Sequence, residues 1–150
     1  MTTTSMATTG KTPWHLWVVG VVAILWNAFG CLDFTMTQLQ GEVWLRSMKM
    51  TEAQIAAFQA MPLWTHAAWA IGVWGGAIGG VLLLLKRKLA LPAFVASFLG
   101  FLAGLLHTYV LDPDPALMPE GVWIMQVVIG LGCVLFILYA WRQSKRGVLR

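Results

Sequence analysis

A chain of 150 residues that is 59% hydrophobic has room for one membrane domain and little else. Its ten basic and six acidic side chains give a net charge of +4 and a pI near 9.4. The basic residues flank apolar stretches, so membrane topology and anionic headgroups account for them, and nucleic acid is excluded as a partner.

Residues 1–13 are Thr-rich, carry one cation (Lys11) and lack the basic region and cleavage site of a signal peptide. They read as a flexible cytoplasmic N-terminus ahead of a retained helix. Four apolar stretches follow, at 14–36, 62–85, 89–111 and 121–141, each near the ~20 residues that cross a bilayer core. The expected fold is all-α: a four-helix transmembrane bundle over 14–142, with a basic cytoplasmic tail at 143–150.

The first span carries Asn27 near its middle and Asp33 near its outer end. A mid-membrane amide either bonds to a neighbouring helix, worth ~0.6 kcal/mol on average, or contacts a ligand. The segment 37–61 then lies outside the membrane. Within it Thr51-Glu52-Ala53-Gln54 matches a capping box, and Ile55, Phe58 and Met61 follow at helical spacing. A short amphipathic helix is expected there, docked on the bundle because it is too short to stand alone.

The second span brings His66 one turn in, then Gly72, Gly76 and Gly80 at four-residue spacing with Gly75 and Gly79 beside them. The third has Pro92 in its first turn, where a missing N–H costs little, then Ala96, Gly100 and Gly104, and His107 one turn from its end. The turn between these spans, Lys86-Arg87-Lys88, is short, so they are antiparallel neighbours. Small-residue ridges let two backbones approach closely. The expected seam therefore sets Gly72/Gly76/Gly80 against Ala96/Gly100/Gly104, with a flat ligand or another subunit as the other possible occupant of the glycine face. Asp112 to Pro119 holds three prolines, which forbid helix and favour a stiff extended connection. Glu120 opens the last span. Cys133 lies about 18 Å below the outer surface at 1.5 Å per residue, so a disulfide with Cys31 is not expected.

Charge gives the orientation. Eight of the ten basic residues (Lys11, Lys86, Arg87, Lys88, Arg142, Lys145, Arg146 and Arg150) fall on one side, and all six acidic residues fall on the other with Arg46 and Lys49. The positive-inside rule makes the first side cytoplasmic, with both termini. Trp14, Trp17, Tyr139 and Trp141 mark that interface, and Trp64, Tyr109 and Trp123 the opposite one. Trp26, Trp69 and Trp74 lie deeper and need an N–H partner, another helix or a ligand.

Each span also brings one ionisable group to the outer zone: Asp33, His66, His107 and Glu120. Two histidines and two carboxylates have the composition of a divalent metal site, and facing histidines can ligate haem. They equally suit mutual pairing, hydration or a proton or solute path, and Glu120 suits a helix N-terminus. Six methionines map to the outer half, and thioethers suit Cu(I), but only Met48 and Met50 are close in sequence. No cofactor is singled out. Phosphate-binding loops, Gly-x-Ser-x-Gly, Cys-x-x-Cys and Cys-x-x-Cys-His are all absent from the sequence.

Trp26-Asn27-x-x-Gly30-x-x-Asp33-Phe34, Pro62-x-Trp64 and Ala68-Trp69-Ala70-x-Gly72-Val73-Trp74-Gly75 resemble a family of small, uncharacterised bacterial inner-membrane proteins with four transmembrane helices. The resemblance covers the first three spans and implies fold and location, with no chemistry attached. Three function classes follow. The first is a non-enzymatic accessory or assembly subunit that packs through its glycine faces with other membrane subunits or with itself. The second is a small-solute transporter or a membrane protein binding a hydrophobic ligand or pigment, with Asn27 and Asp33 in the site. The third is a metal- or haem-binding redox protein using the outer layer.

Overall fold

A computed structural model describes residues 12–150. The expected N-terminal segment therefore lies almost wholly outside the described residues. A hydrocarbon solvent offers backbone groups no partner, so apolar spans must satisfy their hydrogen bonds internally as helices. Accordingly α1 runs His15–Gln40, α4 Leu63–Leu84, α5 Ala90–Leu106 and α6 Val122–Lys145. Five residues of π-helix, His107–Leu111, extend α5, and all four helices are long and apolar enough to cross a membrane. The molecule is a small integral membrane protein, an all-α bundle of four spanning helices.

The first span overruns its expected end by four residues. It stops at Gly41, whose φ of 54° breaks the helix while its N–H still bonds Thr37 O at 3.0 Å. The segment beyond folds as two short helices, α2 (Glu42–Ser47) and α3 (Glu52–Gln59). The capping box forms as expected: Thr51 Oγ1 accepts from Gln54 N, and Gln54 Oε1 accepts from Thr51 N at 2.9 Å. Leu45 and Ile55 are buried, so both helices dock on one end of the bundle. Arg46 joins them, bonding Glu42 at 2.8 Å and Glu52 with two contacts of 3.0 Å.

The connection 112–119 is not wholly extended. A turn of 3-10 helix forms at Pro115–Leu117, because proline at a first helical position loses no bond, and Asp114 Oδ1 caps it by accepting from Ala116 N at 2.8 Å. Helix α3 packs against this turn.

The long helices pack in chain order: α1 on α4, α4 on α5, α5 on α6. The α4–α5 seam is built of small residues, but not on the expected ridge. Gly72 and Gly75 face the backbone of α5 at Ala93, Ser97 and Gly100, and Gly79 sits under Phe94. Gly76 and Gly80 instead face α1, against Asn27 and Ile24. The reason is rotation. At about 100° per residue, positions 72, 75 and 79 stay within about 60° of one another, whereas a four-residue spacing drifts about 40° per step. Gly100 takes its expected place against Ala68 and Gly72, and Gly104 has no neighbour within 4 Å of where a Cβ would stand.

The dense core is confined to the basic end. Leu16, Leu83, Ala90, Phe94, Ala140, Val148 and Leu149 form it. The segment expected as a tail is folded beneath the bundle, where Arg150 N bonds Lys86 O at 2.7 Å and Lys88 N bonds Arg150 O at 2.9 Å. The acidic half, by contrast, is hollow.

Candidate ligand-binding cavities

Helices α1 and α6 meet near the basic end, where the His15 ring and the Tyr139 hydroxyl are hydrogen bonded. Farther along, side chains of all four spans surround a cavity of about 560 Å³. Phe94 and Phe136, stacked with centroids 5.5 Å apart, stand in its wall nearest the core. Trp26, Trp69 and Phe101 wall it further, and its polar points are Asn27, Ser97 and Cys133. Leu25, Phe29 and Met125 also line it while remaining 67%, 64% and 59% exposed. One side therefore opens toward the hydrocarbon between α1 and α6.

Of the two roles open to Asn27, the interhelical bond does not form, and the side chain lies on this cavity. Its Nδ2 donates to Ala23 O, one turn back in α1, at 2.8 Å. Its amide covers Gly76 so closely that a Cβ there would lie 2.8 Å from Nδ2. Ser97 Oγ donates across the α4–α5 seam to Gly72 O. Both cysteines are free, Cys133 on the cavity and Cys31 with its thiol 3.4 Å from Val73 O.

A second cavity, of about 240 Å³, lies nearer the acidic end and is bounded by Thr65, His66, His107, Thr108 and Gln126 together with Phe58, Met61 and Gly104. It brings the two histidines of the outer layer onto one space. His107 is 5% exposed, rests edge-to-face on Trp64, and its Nδ1 has no hydrogen-bond partner among the described residues. His66 packs against Phe58 with ring centroids 5.1 Å apart.

The two carboxylates of that layer lie elsewhere. Asp33 borders a third hollow with Thr37, Leu45, Met48 and Met50, and its Oδ1 accepts from Trp44 Nε1 at 2.8 Å. Glu120 is exposed and borders none of the three. Among the described residues no three His, Cys, Asp or Glu side chains lie close enough to hold one metal ion. Common depth held for the histidines; common facing did not extend to the carboxylates.

Trp69 borders all three cavities, and Phe101 borders the first two. Of the three deep tryptophans, Trp26 and Trp69 thus meet a cavity, while Trp74 turns outward at 46% exposure. Sequence reasoning passed over Ser97, Thr108 and Gln126. The available signal was a polar side chain inside an apolar span. Between the first two spans, Gln59, through a bond of 2.9 Å, and then Arg46 hold the Glu42 carboxyl below its ordinary range, and Arg46 does the same for Glu52. No protein-family model, no curated protein and no solved structure matches the chain.

Proposed function

We propose that the protein binds an apolar ligand inside the membrane, in the cavity bounded by α1, α4, α5 and α6, and that ligand enters sideways from the lipid between α1 and α6. The observation that carries this reading is the cavity, whose 560 Å³ falls inside the ~300–1,000 Å³ typical of small-molecule sites. Its walls are mostly aromatic and aliphatic, with Asn27 and Ser97 as the few polar points that fix orientation in such sites. Atoms facing an unfilled hollow lose dispersion contacts, and a hydrocarbon or flat aromatic guest restores them.

The charge split supports an orientation with the basic end cytoplasmic and α2 and α3 outside, and the resemblance to four-helix bacterial inner-membrane proteins supports that location. An accessory-subunit role is the second reading. It is favoured by α6, which buries only Ala140 and Gln143 and leaves an apolar surface free for a partner helix.

The test is gentle extraction followed by native mass spectrometry and solvent extraction of whatever accompanies the protein. A stoichiometric apolar molecule that is lost from Cys133→Phe, a cavity-filling variant of normal fold, supports the first reading. A ligand-free protein that co-purifies with another membrane chain supports the second.

A further inference from the structure

We infer that the ligand is an amphiphile of the quinone class: a neutral planar head held in the histidine cavity, with an apolar tail in the larger cavity. This rests on the reading above and adds the chemistry of the head. Trp69 and Phe101 wall both cavities, so the smaller one adjoins the larger. At about 240 Å³ it is below the ~300 Å³ where complete ligand sites begin, which fits a head group rather than a whole molecule.

The walls then select the head. None of the lining residues is Lys, Arg, Asp or Glu. A carboxylate or phosphate head would lose its hydration there with no fixed counter-charge, at a cost of several kcal/mol. A neutral head does not meet that barrier. The donor geometry suits carbonyl oxygens. His107 borders the cavity, and a neutral imidazole carries one N–H donor in either tautomer. Gln126 accepts from the Tyr109 hydroxyl through Oε1, which leaves its Nε2 to donate. Planarity follows from the remaining wall. Gly104 presents bare backbone with open space beyond it, and Phe58, Trp69 and Phe101 supply ring faces and edges. His107 also begins the π-helical turn, a local irregularity frequent at functional sites.

The experiment measures binding to the full chain in nanodiscs with three probes of equal chain length: a decyl-substituted benzoquinone, decylbenzene and decanol. The quinone should bind at least about ten-fold more tightly than the other two. His107→Leu should remove that preference while leaving decylbenzene binding unchanged. Gly104→Leu, which fills the head cavity where space is open, should do the same and guards against a folding defect in the first variant. Equal binding of quinone and decylbenzene, unaffected by either substitution, would overturn the head assignment and leave the apolar cavity standing. Decanol binding as tightly as the quinone would overturn planarity. If no probe binds, the proposed function itself fails.

Discussion

The Trp44 indole N–H donates to Asp33 Oδ1 at 2.8 Å, and through this bond the acidic end of the first span holds down the segment that follows it. Asp33 is thereby engaged in fixing α2. Phe58 continues the attachment from α3, meeting Trp69 and His66 edge-to-face at 5.9 and 5.1 Å. Helix α3 walls the histidine cavity through Phe58, and α2 walls the hollow beside Asp33 through Leu45.

Trp44→Phe should keep the ring and remove the donor. Hydrogen bonds to charged acceptors contribute about 1.5–3 kcal/mol, and partial exposure places this one at the low end. Amide hydrogen exchange across 42–59 should accelerate while the spans stay protected. Unchanged exchange in that segment would show that the bond holds nothing in place.

The same segment should loosen in acid. Gln59 and Arg46 lower the Glu42 carboxyl pKa, and Arg46 the Glu52 carboxyl pKa, in the folded chain relative to 4.5. Groups with depressed folded values contribute stability that is complete above the unfolded value and is lost as pH falls through the folded one. Exchange in 42–59 should therefore be flat from neutral pH down to about 4.5, once corrected for intrinsic rates, and rise below it. Arg46→Gln should shrink the step, leaving the part that Gln59 gives to Glu42. High salt should shrink it, since these groups are exposed.

Gly100→Ala and Gly104→Ala should have opposite effects on stability. A Cβ at Gly100 would stand 2.8 Å from Gly72 N, and rigid backbone cannot yield, so the seam must open at a cost of about 1–3 kcal/mol. At Gly104 a Cβ meets nothing within 4 Å, and alanine's helix propensity favours it by up to about 1 kcal/mol. Thermal unfolding in one detergent compares them, and a Gly100→Ala protein as stable as the parent would contradict the close approach of α4 and α5.

Gly76→Ala should displace the Asn27 amide from its place over α4. The amide is the end of a flexible side chain and can swing away, so the single change should destabilise by about 0.5–1.5 kcal/mol. Adding Asn27→Ala, which removes the colliding atoms, should recover part of the loss, with a coupling of about 0.5–3 kcal/mol. Additive effects would mean the two residues do not meet.

Legibility in the sequence followed the dimension along each helix axis. Apolar run length gave the four spans, and the Thr51–Gln54 pair gave the start of α3, because both are local properties of the chain. Axial depth likewise brought His66 and His107 to one level. Rotation about each axis was not legible: it separated Asp33 from the histidines and shifted the α4 seam from Gly76 and Gly80 to Gly75 and Gly79, while Glu120 stands in the turn before α6 rather than on it. Pairs such as His15 with Tyr139 arise from packing of distant segments, and no local pattern marks them.

Because the spans pack in chain order, each can settle on the one synthesised before it. Helix α6 follows the other three, packs along α5, touches α1 near the basic end through Tyr139 and His15, and completes the wall of the large cavity. A guest seated there would touch α6 and α1 at once and bridge helices that otherwise meet mainly at one end. By mass action its binding free energy would go to retaining α6, by about 2.7 kcal/mol at a hundred-fold excess over Kd. Occupancy would then govern how long the assembled protein survives in the membrane, and an empty molecule would be the first to lose its last helix.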